Sequence, residues 1–275
     1  MTVLKRVFNL RSLPKALFIS HGGGPMPLLD DPGHQEMVTC LKEITASFPK
    51  PDAIVVVSAH WEESVPTITS AANPSLIYDY YGFPPETYEV KYPCPGKPEL
   101  ASEIYESLSA SGIEAKLDDS RGFDHGLFVP LTIMYPEADI PCIQLSLVNS
   151  LDAEVHVEMG RALQSLHKKN VLVLGSGFSF HNMKAFFLNK TANSKDLNES
   201  FEAWLIETCS SRDLPEQERT QRLIDWEEAK GARFCHPREE HLLPLQVCYG
   251  VVNTACSDVY ELEILKVKSS MFAWS

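Results

Sequence analysis

The sequence predicts one α/β domain spanning residues 1–275, and three observations predict it. First, 275 residues suffice for a single large α/β domain with a sizeable core. Second, Ala16-Leu17-Phe18-Ile19-Ser20, Ala53-Ile54-Val55-Val56-Val57-Ser58 and Val171-Leu172-Val173-Leu174-Gly175 are continuous apolar runs. Such runs mark strands buried on both faces, since a half-solvated strand would alternate. Third, Met37, Val38, Leu41, Ile44 and Thr45 recur at helical spacing between the first two runs, until Pro49 and Pro51 stop them. That is a βαβ unit, whose parallel strands finish on the same edge of the sheet.

Each later element follows from local pattern. Residues 73–98 interleave Pro74, Pro84, Pro85, Pro93, Pro95 and Pro98 with tyrosines and read as a long aromatic loop. Tyr78, Tyr81, Phe83 and Tyr88 are its candidate binding wall, against the alternative of a stiff cover packed on the core. Glu99 to Ser111 is a helix closed by Gly112, and 113–117 a short strand. After the break at Arg121–Gly126, a helix runs to Tyr135, with Asp124 as its turn-capping residue. Residues 140–147 form a strand, 152–168 an amphipathic helix and 171–177 another buried strand. Residues 194–230 are helical, burying Phe201, Trp204, Leu205, Leu223 and Trp226, with a turn near 213–219. Pro244 fits the first turn of a helix from about Leu245 to Val252, which leaves His241 in the preceding turn. Val259–Val267 reads as an edge strand and Met271–Trp274 as an apolar tail.

Composition bounds the partners. The net charge of −13 and the lack of a Lys/Arg cluster argue against a nucleic-acid or anionic-membrane partner, so a small molecule is expected. No run of about 18 apolar residues spans a bilayer, and Met1–Arg6 lacks a signal-peptide pattern, so the expected location is cytoplasmic. Seven scattered cysteines without a CxxC pair suit reduced thiols buried as small core residues. Oligomeric state is not encoded in any readable pattern.

Histidine placement carries the functional reading. His34, His156 and His167 fall in or beside amphipathic helices and read as solvated or structural. His21, His60, His125, His181 and His241 stand instead at glycine or proline breaks after apolar segments. His21 opens the loop His21-Gly22-Gly23-Gly24-Pro25, which lacks the Lys-Ser/Thr of a phosphate loop. Several neutral imidazoles gathered at strand ends suit a divalent transition metal with positions open to substrate. Such a centre suits a metal-dependent enzyme, a zinc-dependent hydrolase among the possibilities, or a non-enzymatic binding protein on the same scaffold.

Taken together, Ser20-His21-Gly22-Gly23, Ser58-Ala59-His60-Trp61, Gly122-Phe123-Asp124-His125-Gly126, Ser179-Phe180-His181-Asn182 and Pro237-Arg238-Glu239-Glu240-His241-Leu242-Leu243-Pro244-Leu245 resemble the successive signatures of class III extradiol ring-cleaving dioxygenases, nearest the 4,5-DOPA dioxygenase branch. The resemblance runs from about residue 15 to 272. It implies an α/β domain with a central, mostly parallel sheet flanked by helices. The implied cofactor is one non-haem metal, Fe(II) in the active enzyme and often Zn(II) in purified protein. It also implies a metal-dependent dioxygenase that opens a catechol with O₂ to a muconic semialdehyde, a DOPA-like compound being one substrate. By the same resemblance His21, His60 and His241 are metal ligands, and His181 is an acid/base close enough to ligate at rest. His125 lines the substrate and oxygen site. Many class III enzymes have a carboxylate where His241 stands here, so Glu239 or Glu240, and less readily Glu62, are alternative ligands; otherwise the glutamates orient a ligating imidazole. An imidazole titrates near neutrality, so His181 or His125 suits the transfer of a phenolic proton.

Overall fold

The computed structural model describes residues 11–187 and 191–275. The strands are β1 (Ala16–Ser20), β2 (Ala53–Glu63), β3 (Thr67–Thr69), β4 (Lys116–Asp118), β5 (Cys142–Val148), β6 (Val171–Gly177), β7 (Asp258–Ile264) and β8 (Val267–Trp274). The helices are α1 (Gln35–Ser47), α2 (Pro98–Ala110), α3 (His125–Met134), α4 (Ala153–Ala162), α5 (Met183–Phe187), α6 (Ala192–Ser210), α7 (Glu216–Ile224), α8 (Ala232–Cys235) and α9 (Leu243–Val252). All the described strands join one sheet in the order β4-β3-β5-β2-β6-β1-β8-β7.

The central β5-β2-β6-β1 strands are parallel, as the buried apolar runs predict. Alternation along β1 and β2 sends Phe18, Val55 and Val57 into one core and Leu17, Ile19, Ile54 and Val56 into the other. The first core includes apolar residues of α4, α6 and α9, and the second those of α1 and α3. Apolar layers therefore cover both faces of the sheet, and its carboxyl edge is the open one.

Some elements differ from the sequence expectation. β2 does not finish near His60 but continues to Glu63. It advances from Val57 to Glu62 while β5 advances only from Leu145 to Leu147, so the residues around His60 bulge out of the ladder. The expected 259–267 edge strand is β7, which lies at the sheet edge but stops at Ile264, and the expected apolar tail belongs to β8, which forms a hairpin with β7 and pairs antiparallel with β1. The hairpin's turn residues Leu265 and Lys266 have φ of 51° and 65°, a primed turn built without the Asn or Gly that announces one. The 152–168 helix ends as α-helix at Ala162 and continues as a 3-10 segment over Gln164–Lys169. The short β3 carries too little pattern to read, and β4 lies slightly beyond the expected 113–117.

Three tyrosine hydroxyls of the aromatic loop, those of Tyr78, Tyr80 and Tyr88, bond carbonyls of the loop itself. Tyr78 donates to the Val90 carbonyl at 2.7 Å and Tyr88 to that of Tyr80 at 3.3 Å. Tyr81 is 88% exposed and so lines no wall in this conformation. All seven cysteines are free and buried. Among the described residues no helix is long and apolar enough to cross a membrane.

Candidate active site

Four chain breaks on the carboxyl edge and one interior bulge bring five imidazoles together. His21 follows β1 directly, and its N–H still bonds the Gly177 carbonyl of β6 at 3.2 Å. His60 lies in the β2 bulge, past the last residue that pairs with β6. His125 opens α3, where Asp124 caps the helix by accepting from Gly126 N–H at 3.0 Å, as the sequence predicts. His181 follows β6, its N–H bonded to the Cys235 carbonyl at 2.9 Å. His241 stands in the turn before α9, whose first turn holds Pro244. Its carbonyl accepts from Phe178 N–H at 2.9 Å. Gly177 is glycine because a Cβ there would collide with the His241 carbonyl oxygen, so β6 and the His241 segment touch backbone to backbone.

The rings of His21, His60 and His241 form a near-regular triangle, with centroids 4.7, 5.0 and 5.2 Å apart. His125 flanks one side, 3.9 Å from the His60 ring. His181 flanks the other, stacked on His241 at 3.3 Å and 15°. Donor atoms of His21, His60 and His125 lie within 4.8 Å of one another, and so do those of His181, Glu240 and His241. His21, His125 and His241 are buried, whereas His60 and His181 are partly open to solvent.

Hydrogen bonds decide which nitrogen faces the centre. Ser176 donates its single hydroxyl proton to the Gly126 carbonyl, so it accepts from His21 Nδ1–H at 3.0 Å. His21 therefore offers an unprotonated Nε2 to the pocket, 2.9 Å from His60 Nε2. Glu240 Oε1 accepts from His241 Nδ1–H at 2.9 Å and lies 3.3 Å from His181 Nδ1. The other Glu240 oxygen is 3.3 Å from Arg238 Nη1, and Arg238 grips Glu62 through both carboxylate oxygens at 2.6 and 2.7 Å. Glu239 turns away to Arg233 at 2.8 Å. The glutamate that touches the site is thus Glu240, as an imidazole partner, while Glu62 and Glu239 are held in ion pairs.

Burial, with crowding by neighbouring rings, keeps His21, His60 and His241 neutral. Burial, and then the neighbouring His241 and His125, hold His21 well below its ordinary pKa. Burial followed by His125 and His21 does the same to His60. His241 falls to about 3, by burial and then by the nearby His181. Burial pushes the Glu240 carboxyl up, but the bonds from His181 and His241 outweigh it and leave Glu240 ionised, well below the carboxylate range. Neutral imidazole is the form that binds metals.

All five histidines singled out by sequence meet here. Asp79 was missed: its Oδ1 accepts from both His125 Nδ1–H at 2.8 Å and His125 N–H at 3.0 Å. It stands between Tyr78 and Tyr80 with no local motif of its own. His236 was also missed; it is buried and donates Nε2–H to the Ser179 carbonyl at 2.7 Å, beside His181. His34 and His156 are the structural histidines expected. His34 accepts from Gly23 N–H at 2.9 Å and donates to Asp31 at 2.6 Å, which anchors the glycine loop after His21.

Residues 15–274 match the family described as the catalytic LigB subunit of aromatic ring-opening dioxygenase. The chain is 42% identical over 255 residues to dioxygenase tasH of Hapsidospora irregularis, covering 88% of this chain and 79% of that protein. It is 37% identical to a 4,5-DOPA dioxygenase extradiol of Beta vulgaris, covering 87% of each. A 4,5-DOPA dioxygenase extradiol of Escherichia coli K12 is 35% identical, over 86% of this chain and 84% of that one. The crystal structure of the uncharacterized protein JW3007 from Escherichia coli K12 superposes with a TM-score of 0.74 at 29% identity, covering 96% of this chain and all of that one.

Proposed function

The chain belongs to the LigB family of aromatic ring-opening dioxygenases, and on that premise we propose that it cleaves a catechol bearing a side chain, with DOPA-like compounds as one substrate class. In this reading His21, His60 and His241 hold one divalent metal, Fe(II) in the active form and Zn(II) as the competing occupant. The observation that carries it is the triangle of rings. Three imidazoles bound to one ion about 2.1 Å from each nitrogen would stand roughly 4.5 to 5.2 Å apart by centroid, for angles between right and tetrahedral. The separations of 4.7, 5.0 and 5.2 Å lie inside that range. His60–His125 at 3.9 Å and His181–His241 at 3.3 Å are too close for both members to ligate one ion. That supports His125 and His181 as proton-transfer groups on the flanks rather than ligands, although donor atoms of His125 approach those of His21 and His60.

A divalent ion held by these imidazoles would supply Lewis acidity and open positions for a catechol and dioxygen. The chain's own groups do the rest. His181, with Nδ1 facing Glu240, keeps Nε2 free to take one phenolic proton as substrate enters. His125 presents its ring to the other flank of the triangle, where it can bond to substrate or oxygen. Tyr80 packs edge-on against His125 at 5.6 Å and helps to exclude water. Both atoms of O₂ enter as one ring carbon–carbon bond opens, and cleavage beside the two oxygens rather than between them would give a muconic semialdehyde. The charge of −13 and the seven free cysteines support a small-molecule enzyme of the cytoplasm.

The test is to load metal-free protein without air with Fe(II) or with Zn(II), then add a panel of catechols and oxygen. The iron form is expected to yield a yellow semialdehyde and the zinc form none. Ester hydrolysis by the zinc form without oxygen use would make the protein a hydrolase. Catechol binding with no turnover in either form would make it a non-enzymatic binding protein.

A further inference from the structure

We propose that Asp79 is a positioning residue of this site: its carboxylate holds His125 as the Nδ1–H tautomer, so that Nε2 is the hydrogen-bond acceptor facing the pocket. The catalytic consequence rests on the ring-opening reading above, whereas the tautomer does not. Asp79 Oδ1 receives two bonds from the same residue, from the backbone N–H at 3.0 Å and from Nδ1 at 2.8 Å. An ionised carboxylate only accepts, so Nδ1 carries the proton. The paired bonds fix the ring's position along the backbone as well as its orientation. Neighbouring rings restrict it further: Tyr80 stands edge-on at 5.6 Å, His21 edge-on at 5.5 Å and His60 at 3.9 Å. His125 is only 4% exposed, so water is a poor substitute for the carboxylate.

The backbone is built to make this meeting. Phe123 N–H bonds the Ser75 carbonyl at 2.7 Å, and Ile77 N–H bonds the Phe123 carbonyl at 2.8 Å. This short parallel bridge runs the start of the aromatic loop beside the strand-like approach to α3. Two residues beyond each end of that bridge stand Asp79 and His125. Gly122 permits it, since a Cβ there would meet the Ser75 carbonyl. Asp79 Oδ2 also lies 3.8 Å from His60 Nδ1, so one carboxylate faces two of the site's imidazoles. The aromatic loop therefore contributes a working group to the site in addition to covering it. On the opposite flank Glu240 stands in the same relation to His241 and His181.

The experiment reads the tautomer directly. Metal-free full-length protein labelled with ¹⁵N-histidine is examined by two-bond ¹H–¹⁵N correlation, with His125→Gln used for assignment. Wild-type His125 is expected as Nδ1–H; finding it as Nε2–H overturns the proposal without any variant. Asp79→Ala should shift His125 toward Nε2–H and lower kcat of the Fe(II)-loaded enzyme about 10- to 100-fold, with KM changing less. Asp79→Asn, whose amide oxygen still accepts, should restore the tautomer and most of kcat. If Asp79→Ala lowers the melting temperature and raises KM while His125 stays Nδ1–H and kcat holds, Asp79 merely anchors the loop. Absence of turnover in wild-type protein would count against the proposed reaction, and the tautomer spectra would still decide the role of Asp79.

Discussion

Ser176→Ala removes one hydroxyl and tests whether β6 orients the metal site through His21. Ser176 is fully buried, and its Oγ lies between the Gly126 carbonyl and His21 Nδ1. Alanine leaves a buried carbonyl and a buried N–H without partners, at about 1–3 kcal/mol each, or roughly 2–6 kcal/mol of folding stability. The second effect is on function. Without its acceptor, His21 loses the preference for Nδ1–H, so less of the ring presents a bare Nε2. Loss of such an orienting bond weakens metal binding about 10- to 100-fold, which is about 1.4–2.7 kcal/mol. Competition with a coloured chelator would measure the affinity, and urea unfolding of the metal-free protein the stability. A variant that loses stability yet binds metal within twofold of wild type would refute the tautomer argument, because the hydroxyl would then serve packing alone.

Three further changes separate the remaining roles. His60→Ala should lose metal first and activity with it, whereas His181→Ala should keep most of its metal and lose turnover; metal analysis beside oxygen uptake distinguishes them, and identical behaviour would contradict the division of labour. Glu202, buried on α6 with Ser270 donating to it at 2.7 Å, has its carboxyl pushed up by burial to about 7 from an ordinary 4.5. The folded state binds that proton more tightly than the unfolded chain, so its contribution is complete below pH 4.5 and lost as pH rises through 7. Glu202→Gln should remove up to about 3 kcal/mol of that pH dependence, read from urea unfolding at pH 5 and pH 8; an unchanged difference between the two pH values would contradict it. Gly177→Ala should push the His241 carbonyl away from β6 and cost about 1–3 kcal/mol together with metal affinity; wild-type affinity in that variant would show that the contact does not place His241.

How much of this was legible in the sequence depended on what kind of signal each element carries. The β1, β2 and β6 runs were readable because a strand buried on both faces must be apolar throughout. The five histidines were readable because each interrupts such a run or a glycine or proline turn. The Leu265-Lys266 turn was not, because its positive φ values sit on residues that rarely adopt them. Asp79 was hidden for another reason. Its importance comes from a bridge between Ser75 and Phe123, 48 residues apart in the chain, which no local pattern announces. Ser176 was equally silent, as a small polar residue inside an apolar strand whose only sign was its polarity. The long helical region 194–230 was placed in outline, with Phe201, Leu205, Leu223 and Trp226 buried, but Trp204 is only half-buried and the turn expected at 213–219 gives way to α7 from Glu216.

Oxygen uptake tests the central claim most directly. Fe(II)-loaded protein given a limiting amount of a side-chain-bearing catechol in an oxygen electrode should consume one O₂ per ring, release no hydrogen peroxide and generate the ring-opened semialdehyde in equal amount. Catechol consumed without oxygen uptake, or oxygen returned as peroxide with the ring intact, would contradict the assignment of these five histidines to extradiol ring opening.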